Sequence, residues 1–150
     1  MNMKTILLVE DNPQDEMLTL RALKKANLAN RIDVARDGQQ ALDYLFRTGT
    51  FSDRDGPDLP TVVLLDISLP RLSGLEVLER LRADPRTELL PVVMLTSSDE
   101  QRDRLKSYEN GCNSFVQKPV DFAEFSETVA RLGVYWLATN EPPPDPPVQR

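Results

Sequence analysis

The side chains best suited to chemistry in this sequence lie at the ends of four short apolar runs. Glu10 and Asp11 come directly after one run, Asp66 follows a second, Thr96 follows a third, and Lys118 comes soon after a fourth. Continuous apolar runs of this length are typical of buried parallel strands. The carboxyl ends of such strands share one edge of a doubly wound sheet, and ligands bind in the crevice there. Three carboxylates, one hydroxyl and one ammonium group at that edge predict a site for a divalent cation and a phosphoryl group.

A pair of acids directly after a strand favours a hard cation. Mg²⁺ prefers oxygen ligands, keeps several waters, and usually takes one or two carboxylates together with phosphate oxygens. We expect Asp11 to bind the metal directly and Glu10 to act mainly through water. The alternative is that Glu10 and Asp11 are ordinary loop acids beside the cap of the next helix.

Asp66 is a candidate nucleophile, because a carboxylate can accept a phosphoryl group and form an aspartyl phosphate. Alone it could equally be a helix N-cap. Clustered with the two other acids, it needs a cation to offset their repulsion, and Lys118 and Mg²⁺ would supply that charge. Thr96 could hydrogen-bond a phosphoryl oxygen. The bond between Lys118 and Pro119 is a candidate cis peptide that would help to aim the lysine, although most such bonds are trans.

The composition restricts the chemistry that the chain could perform. The sequence has 150 residues, no histidine and a single cysteine, Cys112. These counts exclude Ser-His-Asp and Cys-His catalysis, His-ligated zinc and an internal disulfide. The net charge of −6 disfavours nucleic-acid binding. No apolar stretch approaches the roughly 18 residues of a membrane span, and no secretory pattern opens the chain, so we expect a cytoplasmic protein that binds no membrane.

The sequence predicts one α/β domain over residues 1–140, built on a doubly wound five-stranded parallel sheet. The predicted strands are 5–9, 31–35, 62–65, 91–95 and 113–116, and the predicted helices are 13–26, one opening at 38, 74–83, 99–110, and one running from 122 to about 137. The first helix carries Met17, Leu20 and Leu23 at helical spacing. A long connection spans 48–60, and the Pro-rich tail 141–150 is expected to be disordered or polyproline-like.

Four segments, in order and at strand ends, resemble the receiver domain of two-component response regulators. They are Val9-Glu10-Asp11-Asn12, Leu65-Asp66-Ile67-Ser68-Leu69-Pro70 with Gly74, Leu95-Thr96-Ser97-Ser98, and Phe115-Val116-Gln117-Lys118-Pro119. The resemblance covers about residues 4–137. It implies a flavodoxin-like receiver fold and a protein that accepts a phosphoryl group from a sensor histidine kinase with Mg²⁺, and then switches its interaction surface.

The resemblance also implies a role for each residue of the site. Asp66 corresponds to the phosphoacceptor. Glu10, Asp11, Asp66 and the backbone carbonyl of Ser68 correspond to the metal site. Lys118 corresponds to the lysine that contacts the phosphate.

Further positions correspond to the switch and to phosphate lifetime. The resemblance implies that Thr96 and Phe115 form the switch pair. Ser97 matches the small residue that the family keeps beside the site. Ser68 and Ser98 occupy the two variable positions that tune how long the phosphate lasts.

Three features resemble the small stand-alone regulators that partner bacterial phytochromes. They are the long connection 48–60, the stretch 84–91, and Tyr135-Trp136-Leu137 before the tail. Because the sequence ends without an output domain, we expect the signal to leave through protein contacts, including a homodimer through the fourth helix, fifth strand and last helix. Tyr135 and Trp136 could form part of that contact or a packing lid.

Other functions on the same fold stay open at this point. They are a receiver-like interaction module with a vestigial acidic site and a Mg²⁺-dependent, phosphatase-like enzyme. A haloacid-dehalogenase-type phosphatase would have a second Asp where this sequence has Ser68, and a flavodoxin-like carrier would need a Gly-rich phosphate loop where the sequence has Glu10 and Asp11. We therefore expect no enzyme activity beyond phosphoryl transfer to the protein itself.

Overall fold

The computed structural model describes residues 4–27, 31–55 and 59–144. Its strands are β1 (Thr5–Val9), β2 (Arg31–Ala35), β3 (Val62–Leu65), β4 (Val92–Thr96) and β5 (Ser114–Gln117). Its helices are α1 (Pro13–Ala26), α2 (Gly38–Phe46), α3 (Gly74–Ala83), α4 (Gln101–Glu109) and α5 (Phe122–Gly133), with a 3₁₀ turn at Gly49–Phe51 and a π-helical segment at Val134–Thr139. The strands form one parallel sheet in the order β2-β1-β3-β4-β5. The predicted fold class is confirmed.

Burial of the strands follows their apolar content. Every residue of the central strands β1, β3 and β4 is buried, whereas the edge strands β2 and β5 are mostly half-buried. Strands β4 and β5 each lie one residue later than predicted. Asn113 accounts for this shift, because its side-chain oxygen accepts the Val92 N–H at 2.8 Å and its own N–H donates to the Val92 carbonyl at 2.8 Å.

Side chains cap four of the helices. Asn12, Asp37, Ser73 and Asp121 each accept backbone N–H groups of the first turn that follows them. Helix α4 has no such cap and begins at Gln101, two residues later than predicted. The preceding residues form a loop instead, in which the Glu100 N–H donates to Ser98 Oγ at 3.3 Å.

An apolar core lies on each face of the sheet. One core includes residues of α2 and α3, and the other includes residues of α1 and α5. Trp136 and Leu137 belong to the second core, and Trp136 is only 7% exposed. Trp136 therefore packs within its own domain. Tyr135, beside it, is half exposed.

Two glycines allow the backbone to approach closely around the end of β3. A Cβ on Gly38, at the start of α2, would lie 2.2 Å from the Leu72 carbonyl oxygen. A Cβ on Gly74, at the start of α3, would lie 2.0 Å from the Asp66 carbonyl oxygen. The Gly74 N–H donates to the Ile67 carbonyl at 2.8 Å. These contacts fix the loop that follows Asp66.

The chain leaves the domain after the π-helical segment. Residues 141–144 form an exposed coil, and the predicted disorder of 145–150 falls outside the described residues. Among the described residues, no helix combines the length and the apolar character needed to cross a bilayer.

Candidate functional site

The register of the sheet brings the four polar strand ends to one edge. Val9 pairs with Leu65, and the Asp66 N–H donates to the Val9 carbonyl at 3.2 Å. On the other side of β3, the Lys118 N–H donates to the Thr96 carbonyl at 2.7 Å. The residues that follow β1, β3, β4 and β5 are therefore neighbours, as the sequence predicted.

Three carboxylates meet at this edge. Oxygen atoms of Glu10, Asp11 and Asp66 lie within 4.8 Å of one another. Glu10 and Asp66 are buried, and Asp11 is exposed. An all-oxygen donor set open to water on one side fits a hard divalent cation. These residues could hold a metal ion that also contacts an incoming phosphoryl group.

Lys118 is the buried cation of the site. Its Nζ donates to Glu10 Oε1, to Asp66 Oδ2 at 3.0 Å and to Asp15 Oδ2 at 2.9 Å. The pairing of Lys118 with the strand-end acids agrees with the sequence-based expectation. The peptide bond before Pro119 is not cis, since the described residues contain no cis peptide bond, and the suggestion of a cis bond was wrong.

Asp15 is a member of the site that was not predicted from the sequence. An acid in the first turn of a helix is common because it complements the helix dipole, so Asp15 does not stand out. The available signal was its place in the turn directly after Glu10 and Asp11. That turn starts at the sheet edge where the other acids lie.

Burial and mutual attraction act in opposite directions on the charges of this site. The pKa of Glu10 is raised to about 7, because burial, helped by the nearby Asp66 charge, outweighs the lowering effect of Lys118. For Lys118, burial lowers the pKa, but hydrogen bonds and charges of Glu10, Asp66 and Asp15 outweigh burial and raise it. Lys118 therefore stays an ammonium group. A bound cation would favour the carboxylate form of Glu10.

Asp66 is held at both of its oxygens. Oδ2 accepts from Lys118, and Oδ1 accepts the Ser68 N–H at 3.2 Å. Ser68 itself is exposed. The Ser68 N–H orients the Asp66 carboxylate. The backbone carbonyl of Ser68 is the group that the family resemblance assigns to the metal.

Thr96 and its neighbours lie where β4 reaches the site. Thr96 is fully buried, and its Oγ1 accepts the Ser98 N–H at 3.3 Å. The Ser98 hydroxyl donates to Asp103 Oδ2 at 2.6 Å, a contact that the sequence did not predict. Ser97 is exposed beside them. Phe115 is half-buried next to a surface cavity of about 120 Å³ that Ser98 also lines.

The doubly wound sheet, the acidic cluster, the buried lysine and the strand-end threonine define a phosphoacceptor domain of the receiver class. The model of the response regulator receiver domain family matches residues 6–130, and the chain belongs to this family. It is a response regulator receiver, which acts in two-component signalling through phosphorylation of an aspartate. The resemblance drawn from the sequence is confirmed.

Several known proteins are similar to most of the chain. The probable methanogenesis regulatory protein FilR2 of Methanothrix harundinacea is 41% identical over 92% of this chain and 86% of its own length. The response regulator Rcp1 of Synechocystis is 33% identical over 91% of this chain and 90% of its own. A crystal structure of the Mn²⁺-bound form of Rcp1 superposes with a TM-score of 0.87, at 32% identity over 94% of this chain and 99% of that one.

A phytochrome-associated protein is also among the structural neighbours. The bacteriophytochrome response regulator RtBRR is 51% identical, with a TM-score of 0.74, over 95% of this chain and 86% of its own. The predicted similarity to phytochrome-associated regulators is therefore confirmed. The metal-bound relative and the carboxylate cluster together support a divalent metal at this edge of the sheet.

Proposed function

We propose that Asp66 accepts a phosphoryl group from a sensor histidine kinase with Mg²⁺, and that phosphorylation changes the surface formed by α4, β5 and α5. The observation that carries this proposal is the setting of Asp66. Its buried carboxylate lies 3.0 Å from Lys118 Nζ and close to the oxygens of Glu10 and Asp11. A nucleophilic carboxylate beside a cation and a metal-binding pair is arranged for phosphoryl transfer.

The transfer makes one bond and breaks another. An oxygen of Asp66 attacks the phosphorus, the bond from phosphorus to the imidazole nitrogen of the donor breaks, and the electron pair stays on that nitrogen. When bound, Mg²⁺ neutralises charge on the phosphoryl oxygens. Glu10, Asp11, Asp66 and the backbone carbonyl of Ser68 would hold it, and Lys118 supplies the second positive charge.

The switch requires more than one contact. A phosphoryl group adds about −1.5 to −2 charge and strong acceptor oxygens, toward which the Thr96 hydroxyl moves while Phe115 turns inward. Full conversion between two states needs about 5.5 kcal/mol of differential stabilisation. One threonine hydrogen bond to a charged group supplies roughly 1.5–3 kcal/mol. Thr96 therefore acts together with Phe115 and Lys118.

Three serines are placed to affect the lifetime of the phosphate. Ser68 and Ser97 are exposed, so they leave the phosphoryl group open to water. The Ser98 hydroxyl is engaged by Asp103, which keeps it from orienting a hydrolytic water. We infer that Ser97 and Ser98 govern access to the phosphate and that Ser68 and Ser98 tune its lifetime.

The partners follow from the same assignment. A kinase of the bacterial phytochrome class is supported by the similarity to RtBRR, and a cytoplasmic location agrees with such a partner. We also infer a homodimer through α4, β5 and α5, in which the exposed Val134 and Tyr135 contribute in place of the buried Trp136. The protein catalyses no reaction other than phosphoryl transfer to itself.

Incubation with acetyl phosphate and Mg²⁺ tests the proposal. Intact mass should show one added, base-labile phosphoryl group on the natural protein, which Asp66→Asn abolishes. Asp53→Asn, in an exposed loop, is the matched control and should be labelled normally. Equal labelling of the Asp66 variant would overturn the assignment. An unlabelled natural protein would favour the interaction module, and steady hydrolysis of a phosphomonoester would favour the phosphatase-like enzyme.

A further inference from the structure

We propose that Asp15 is a positioning residue that holds Lys118 in the resting site and releases it to the phosphoryl group when Asp66 is phosphorylated. The inference rests on the proposed function of Asp66. It concerns an exchange of hydrogen bonds only, in which Lys118 keeps its charge and all of its protons.

The side chain of Asp15 is committed to Lys118 rather than to capping its helix. Asp15 is the third residue of α1, and its backbone N–H donates to the cap Asn12 Oδ1 at 3.1 Å. An acid at this position often completes a capping box by accepting the N–H of the cap residue. That N–H donates instead to Glu10 Oε2 at 3.2 Å. The Asp15 carboxylate reaches Lys118 at 2.9 Å and so joins α1 to the end of β5.

Every N–H donor of the Lys118 ammonium group is already used in this arrangement. An ammonium group has three N–H donors. The carboxylates of Glu10, Asp15 and Asp66 take one each. A phosphoryl oxygen can gain a hydrogen bond from Lys118 only when one of these contacts is given up.

Exposure identifies Asp15 as the partner that is released. The Glu10 side chain is 3% exposed, that of Asp66 7%, and that of Asp15 29%. A buried carboxylate that loses its cation is strongly destabilised, which protects the contact with Glu10. Asp66 carries the phosphoryl group itself and so stays beside Lys118. Asp15 can turn into water at little cost, and its resting contact with Lys118 therefore competes with the phosphorylated state.

Beryllofluoride, a mimic of the phosphoryl group, measures this competition at saturating Mg²⁺. We expect Asp15→Asn to bind it about fivefold more tightly than the natural protein, the size of a partly exposed ion pair. Asp15→Glu keeps a carboxylate and should stay within twofold of the natural protein. Glu16→Gln is the matched control: it removes the same charge from the same turn, but Glu16 pairs with Arg36 at 3.0 Å, and its affinity should also change less than twofold.

Each other result overturns the proposal. An equal gain in Glu16→Gln would show a general charge effect, and a gain in Asp15→Glu would show that the carboxylate is not what holds Lys118. An unchanged beryllofluoride affinity in Asp15→Asn would show that Lys118 exchanges its contact with Asp66 instead. A weaker affinity would show that Asp15 aims Lys118 at the phosphate. If the natural protein does not bind beryllofluoride with Mg²⁺, the proposed function of Asp66 fails first and this inference with it.

Discussion

The start of α3 rests directly on the backbone of Asp66, because a Cβ on Gly74 would lie 2.0 Å from the Asp66 carbonyl oxygen. The helix therefore fixes the path of the loop that carries Asp66 and Ser68. Any side chain at position 74 must push this loop away.

Gly74→Ala should lower both the stability and the metal affinity of the protein. We expect a loss of about 3 kcal/mol in the free energy of unfolding by urea, since the obstructing atom is backbone that cannot turn aside. Ser73→Ala removes the neighbouring helix cap and should cost about 1 kcal/mol, with Mg²⁺ affinity unchanged. A Gly74→Ala protein with natural stability and metal affinity would show that the close approach has no role.

The phenol of Tyr44 should ionise at an unusually high pH. Burial and a hydrogen bond of 2.6 Å from its hydroxyl to Asp33 Oδ2 raise its pKa to about 12. In the unfolded chain this phenol loses its proton near pH 10, whereas in the folded chain it keeps the proton to a higher pH. The stabilisation is therefore complete below pH 10 and is lost as pH rises toward 12.

The difference in unfolding free energy between the natural protein and Tyr44→Phe isolates this group. Urea titrations should show that difference shrinking from pH 10 upward, and ultraviolet titration of Tyr44→Phe should lack the phenol ionisation near pH 12. A constant difference across this range would contradict the assignment.

Parts of the fold and site could be predicted from sequence because the signal was local. Continuous apolar runs placed the three central strands to within one residue, and a parallel sheet brings the acids at the strand ends to one edge. Asp15 was missed because its partner Lys118 is 103 positions away. Met17 matched a helical stripe but is half exposed, since α1 buries Thr19, Ala22 and Leu23. The sequence predicted one helix from 122 to about 137, whereas α5 ends at Gly133 and a π-helical segment covers Val134–Thr139, with Trp136 and Leu137 buried in the second core.

Metal binding should depend more on Asp11 than on Glu10. Asp11→Ala should remove most of the Mg²⁺ affinity measured by calorimetry, because it deletes a direct ligand. Glu10→Gln should weaken binding less, because its contact is expected through water. Asp99→Ala, an exposed acid after β4, is the control for charge. Equal binding by the natural protein and Asp11→Ala would end the metal assignment.

Substitutions in the π-helical segment Val134–Thr139 should distinguish packing within the domain from association between two copies. Trp136→Ala should cost about 3–5 kcal/mol of stability, as expected for a buried aromatic residue. Tyr135→Glu removes only the edge contact of its ring with Trp136, so it should stay folded with a smaller loss of stability. It should sediment as a monomer, because its half-exposed ring would lie in the dimer contact. A dimeric Tyr135→Glu protein would place the interface elsewhere.

Locating the phosphoryl group shows directly whether Asp66 is the phosphoacceptor. After phosphorylation with acetyl phosphate and Mg²⁺, borohydride reduces an acyl phosphate and leaves a stable mark on the aspartate that carried it. Peptide mass mapping should find that mark on Asp66 and on no other acid. A mark on Asp11, Glu10 or Asp15 would contradict the assignment of Asp66.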